Sequence, residues 1–171
     1  MSMRRDAGFT LLELILVIAL VGILSVLGSL GLSGVFQGYF LAEGNAELTQ
    51  KGQLALMRLT KDLSYTVKSG ITAGTDTAIT VSVHIPDTAG GMSSETVSVE
   101  LDPGNATRLL LNDDLLADGV TSFRLRYCNA MLSCTAAPST DTRAIEITLG
   151  LTSQGITESF TTRVTPPGLA E

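Results

Sequence analysis

The sequence predicts an α+β fold: a long N-terminal helix, membrane-spanning in its first half and amphipathic in its second, packed on a C-terminal antiparallel β-sheet domain. Three observations carry this. Between Glu13 and Glu43 no residue is charged, and the stretch is strongly apolar. Leu48, Gly52, Leu56, Leu59, Leu63 and Val67 then recur at three or four residues, with Glu47, Lys51, Arg58 and Asp62 on other faces, the mark of an amphipathic helix. From Ile79 onward the period changes to two, and no helical stretch separates the alternating runs, which favours an antiparallel meander over βαβ units.

These patterns divide the chain into residues 1–8, a short polar leader; 9–42, an apolar helix; 43–69, its amphipathic continuation; and 70–171, a β-rich domain. About 20 apolar residues suffice to cross a bilayer, so residues 9–42 read as a span. Arg4 and Arg5 precede it and no basic residue follows until Lys51, which sets the N-terminus in the cytoplasm and exports the rest. A secretory signal also starts basic and apolar, but here the apolar run continues past signal length. A plain single-pass anchor would explain the hydropathy without using Glu13. In the continuation, Glu47 and Lys51 stand at i,i+4 and Ser69-Gly70 supplies a stop.

In the last part, Ile79, Val81, Val83 and Ile85 alternate, as do Val97, Val99 and Leu101, then Phe123, Leu125 and Tyr127 opposite Arg124 and Arg126. Ile145, Ile147, Leu149 and Leu151 follow, and after a turn at Gly155 come Phe160, Thr162 and Val164. Turn signals at Asp102-Pro103-Gly104-Asn105 and Asn112-Asp113-Asp114 separate the runs. The expected result is one sheet with a single apolar face laid on the amphipathic helix.

Glu13 is the residue the hydropathy does not explain. A charge within a span costs at least about 2.5 to 3.5 kcal/mol on insertion scales, which makes it a functional candidate with a partner elsewhere. Gly8, Phe9, Thr10, Leu11, Leu12 and Glu13 resemble the class III signal of type IV pilins and type II secretion pseudopilins. The resemblance implies that a prepilin peptidase cuts between Gly8 and Phe9 on the cytoplasmic side, releasing residues 1–8. It also implies that Phe9 is N-methylated by the same peptidase/methyltransferase, and that Glu13 pairs with the Phe9 amine of a neighbouring subunit. A glycine before the scissile bond puts no side chain in the protease's way, and opposite charges attract strongly in a low dielectric.

The stretches Leu59-Thr60-Lys61-Asp62-Leu63 and Gly119 to Tyr127, with the strand at Ile145, look similar to minor pilins and to the J-type pseudopilins. That implies a low-copy structural subunit of a pilus-like filament. The alternatives are a J-type pseudopilin in protein export and a tip-located adhesion or binding module. The partners implied are the peptidase, other minor pilins or pseudopilins, the inner-membrane assembly platform and membrane lipid. The implied location is the inner membrane, single-pass, with the C-terminal domain periplasmic or extracellular until the processed chain enters a filament.

Charge narrows the remaining classes. The 171 residues carry a net charge of −6, and residues 69–171 contain five arginines, no lysine and twelve acidic side chains. A surface of that sign repels phosphate, so no nucleic-acid partner is expected. Cys128 and Cys134 are the only cysteines, both in the exported part. An oxidising compartment favours a bridge between them, with free thiols as the alternative. The loop between them would serve a tip module, with Tyr127 and Met131 as its candidate contacts.

His84 is the sole histidine and sits at a strand end, and adjacent Asp113 and Asp114 on a turn point apart without the ligand spacing of a Ca²⁺ loop. Neither a phosphate-binding glycine loop nor a Gly-x-Ser-x-Gly elbow occurs. No enzyme activity, metal or cofactor is therefore expected.

Overall fold

The computed structural model describes residues 10–86 and 91–170. The chain falls into two compact units, residues 1–43 and 44–171. Helix α1 (Leu11–Ser64) contributes to both. In the first unit its start is capped by Thr10: the Glu13 amide donates to Thr10 Oγ1 at 3.2 Å. The Thr10 carbonyl accepts from the amides of Glu13 and Leu14. This satisfies donors that a helix start otherwise leaves open. Leu11 to Leu27 and Val35 to Leu41 are exposed wherever their side chains are described. The helix is long and apolar enough to cross a membrane.

In the second unit α1 buries Leu48, Gly52, Ala55, Leu56, Leu59 and Leu63, one stripe at helical spacing. Gly52 lies directly beneath the Phe160 ring, where any Cβ would collide with it. The helix ends at Ser64, earlier than the Ser69-Gly70 stop expected from the sequence. Ser64 Oγ donates to the Lys61 carbonyl at 2.7 Å and Thr66 Oγ1 to the Leu63 carbonyl at 2.7 Å. These hydroxyls satisfy the last carbonyls and divert the chain into strand β1 (Thr66–Gly74). Strand pairing thus overrides a helical pattern that ran on to Val67.

The β-part is two sheets, not the single sheet expected. β1, β2 (Ala78–Pro86), β3 (Met92–Asp102), β4 (Asn105–Leu111) and β5 (Asp114–Asp118) form a meander in chain order. β6 (Val120–Cys128), β7 (Cys134–Thr135), β8 (Ala144–Ser153) and β9 (Ile156–Val164) form the other, in the order β7-β6-β8-β9. All pairings are antiparallel. Two hairpins use turns with two positive φ values, Asn112 and Asp113 at 53° and 68°, Gln154 and Gly155 at 51° and 82°. Such turns match the right-handed twist of the strands they join.

Between the sheets stands Gly119, with φ of 70°. Its carbonyl accepts from the Thr152 amide at 2.7 Å, and a Cβ there would lie 2.5 Å from the Thr152 carbonyl oxygen. The core is Ile79, Val81, Val83, Val97, Val99, Leu109 and Leu111 from one sheet, and Phe123, Leu125, Tyr127, Ile145, Ile147, Leu149 and Leu151 from the other, with the α1 stripe. Each fully buried aliphatic side chain contributes about 1.5 to 3 kcal/mol. A last short helix, α2 (Pro167–Ala170), buries Leu169.

Two bonds tie β6 to the β1–β2 hairpin: the Leu125 amide donates to the Asp76 carbonyl at 2.7 Å, and Tyr127 Oη to the Thr75 carbonyl at 3.0 Å. Burial, and secondarily the Asp76 carboxylate, push the Tyr127 hydroxyl well above its ordinary range, so it stays a neutral donor. Tyr127→Phe is expected to lower the stability of this unit by about 1 kcal/mol, read as a shift in the urea midpoint with an unchanged slope.

Candidate functional site

Gly8 and Phe9 lie outside the described residues. Glu13 is described and stands in the exposed first turn of α1. Its spacing from Thr10 is that of a capping box, Thr-x-x-Glu, a signal in the sequence that the hydropathy argument passed over. A carboxylate in the first turn also meets the positive end of the helix dipole, worth about 0.3 to 1 kcal/mol. Glu13 therefore has a local reason to be tolerated, and among the described residues it has no ion-pair partner within the chain.

The second feature is the loop after β6. Cys128 and Cys134 are bridged, with Cα atoms 4.0 Å apart, at directly paired positions of β6 and β7. Asn129 organises what lies between: its Oδ1 accepts from the amides of Met131 and Ser133, both at 3.0 Å. Its own amide donates to the Ser133 carbonyl at 3.0 Å. Leu132 is held at φ 62°, a conformation that costs a bulky residue about 1 to 2 kcal/mol. Met131 is 90% exposed and Leu132 67%. Tyr127, expected as an exposed contact here, is 2% exposed and belongs to the core, because it lies on the inward-facing row of β6 with Phe123 and Leu125. Leu132 takes its place beside Met131.

Glu146 lies near both sulfurs. With the sulfurs in the bridge, only its carboxylate remains of a three-ligand set, and that accepts from Arg163 Nη2 at 2.6 Å. His84 is exposed at its strand end. Asp113 and Asp114 are exposed on the β4–β5 turn.

The flank of the amphipathic helix carries an open groove of about 790 Å³ between α1 and β9, lined by Leu56, Met57, Thr60, Lys61 and Phe160. On the other flank Lys51 Nζ donates to Asp118 at 2.6 Å. That bond holds the Asp118 carboxyl below its usual range. A depressed carboxylate stabilises above its unfolded value near pH 4 and loses that contribution on acidification. Exposure limits the pair to about 1 kcal/mol or less.

Residues 3–35 match the family model of the prokaryotic N-terminal methylation motif. No curated protein matches the chain. The matched stretch holds the Gly8-Phe9 junction, the Thr10 cap, Glu13 and most of the charge-free helix. The family it marks is structural rather than catalytic, is processed by a prepilin peptidase, and is anchored by an apolar N-terminal helix such as α1 provides. That motif at the start, followed by a pilin-like α+β arrangement, supports the type IV pilin and pseudopilin family for this chain.

Proposed function

We propose that the chain is a minor, low-copy structural subunit of a type IV pilus-like filament, stored in the inner membrane and assembled through its N-terminal helix. The observation that carries this reading is Gly8-Phe9-Thr10 with Glu13, set immediately before 29 uncharged residues. On this reading residues 1–8 are removed, Phe9 becomes the methylated terminus, and the new ammonium meets Glu13 of the adjacent subunit. The N-terminus lies in the cytoplasm and the β-rich unit is exported. Partners are the peptidase, the assembly platform and other minor pilins or pseudopilins.

The test is the intact mass and N-terminal sequence of the membrane-extracted protein from hosts with and without the prepilin peptidase. A start at N-methylated Phe9 only when the peptidase is present is the expected result. Met1 or Ser2 as the first residue in both hosts would leave an ordinary anchored domain. A tip-located binding module is a second reading, favoured by Met131 and Leu132, two apolar side chains displayed on a bridged loop without a charge between its cysteines.

A further inference from the structure

Charge is unevenly divided between the two sheets. Residues 66–118 hold eight acidic and two basic side chains, whereas residues 119–164 hold three acidic and four basic. The outward face of the second sheet concentrates the positive part. By register, Arg126, Glu146 and Arg163 form one cross-strand row and Arg124, Thr148 and Thr161 the next. Arg163 is paired with Glu146, and Arg126 Nη2 donates to the Cys134 carbonyl at 3.1 Å. Arg124 has no ion-pair or hydrogen-bond partner among the described residues. A shallow cavity of about 500 Å³ opens on this face, lined by Leu101, Ser122, Arg124, Arg126, Glu146 and Thr148.

The negative counterpart is on the first sheet. The β4–β5 turn projects Asp113 and Asp114, both exposed, and neither has an ion pair among the described residues. The turn is held in place: Asn112 Oδ1 accepts from the Ser98 amide at 2.8 Å and the Asn112 amide donates to the Ser98 carbonyl at 2.9 Å. Leu115, half-exposed, stands beside the carboxylates. One chain thus presents a face on which Arg124 is unpaired and Arg126 bonds only a carbonyl, and an acidic, preorganised tip without ion pairs among the described residues.

We propose that the Arg124–Arg126 face docks the Asp113–Asp114 turn of a second copy of this chain. Arginine forks match carboxylates with directed, charge-assisted hydrogen bonds, and Leu115 beside the carboxylates faces Leu101 in the cavity. The two surfaces differ, so the contact is heterologous: a joined pair keeps a free tip on one copy and a free face on the other. The inference deepens the filament reading and rests on it for its setting.

Full-length copies bearing two different tags, co-expressed in a host lacking the peptidase and extracted in mild detergent, test it. Wild-type copies should co-purify, with recovery falling at least about tenfold between 50 and 500 mM salt. Arg124→Glu/Arg126→Glu in both copies should lose co-purification by a similar factor, as should Asp113→Arg/Asp114→Arg in both. A copy with the reversed arginines paired with a copy with the reversed aspartates should regain it, which also shows that both variants fold. Failure of the wild-type copies to co-purify, salt-insensitive recovery, wild-type recovery by either reversed pair, or no regain in the mixed pair would each overturn the proposal. The test uses the unprocessed chain, so the N-terminal mass assay fails or succeeds separately.

Discussion

Gly119→Ala is expected to destabilise the β-rich unit by about 3 kcal/mol. Two penalties combine. An L-residue at φ 70° costs about 1 to 2 kcal/mol. The added Cβ would also meet the Thr152 carbonyl oxygen at 2.5 Å, and backbone that must shift to relieve such overpacking costs about 1 to 3 kcal/mol more. The neighbouring Thr152 amide is bonded to the Gly119 carbonyl, so the chain cannot open there without losing that bond. Gly155→Ala is the control: its φ is 82° but nothing lies within 4 Å of the built Cβ, so only the conformational penalty of about 1 kcal/mol should appear. Urea unfolding of the detergent-solubilised chain, followed by near-ultraviolet circular dichroism, measures both. Equal midpoint shifts for the two variants would show that the approach to Thr152 carries no energy.

Glu13→Leu is expected to leave the chain in the membrane and processed, yet to lower its incorporation into filaments by at least about tenfold. Two unit charges 4 Å apart gain about 4 kcal/mol at an effective dielectric constant near 20, and each 1.4 kcal/mol is a factor of ten. The local role of Glu13 in the first turn is smaller, about 0.3 to 1 kcal/mol, and would reduce helix order at the start without a tenfold loss of assembly. Glu13→Gln separates the two: it keeps a polar side chain at the capping-box position and removes the charge. Both variants should therefore assemble equally poorly, as measured by the ratio of sheared-filament to membrane protein on immunoblots. Wild-type incorporation of either variant would rule out pairing with the Phe9 ammonium.

Much of the architecture was legible because burial imposes a period. The stripe Leu48, Gly52, Leu56, Leu59 and Leu63 is buried as its spacing implies, and Ile145, Ile147, Leu149 and Leu151 line the core. The turns at Asp102 to Asn105 and Asn112 to Asp114 join neighbouring strands. What escaped has physical causes. Val67 continues the helical spacing, and only the pairing of its neighbour Thr66 with Val83 of β2 turns this stretch into strand. A strand alternates identically whether its neighbour belongs to the same sheet or another, so the division at Gly119 leaves no periodic trace. The alternation placed Tyr127 on the apolar row of β6 with Phe123 and Leu125, and that row with its bond to Thr75 buries it, so it is not available as the tip contact it was also a candidate for. At the functional terminus the motif itself was readable, and the Thr10 cap was missed only because charge, not capping, was weighed at Glu13.

The strand order has a kinetic consequence for the β-rich unit, sharpest if that unit folds only after export as proposed. β2 to β5 each pair with the strand made just before, so the first sheet can zip up hairpin by hairpin, each closure spanning a short loop. β6 is different, because its partner β8 starts at Ala144, sixteen residues after β6 ends at Cys128. Low sequence separation speeds folding and longer separation slows it, so the first sheet should be formed while β6 still waits for β8. In that interval the β6 edge is open to any other strand nearby, which makes the junction of β6 and β8 the point at which mispairing of the β-rich unit is easiest.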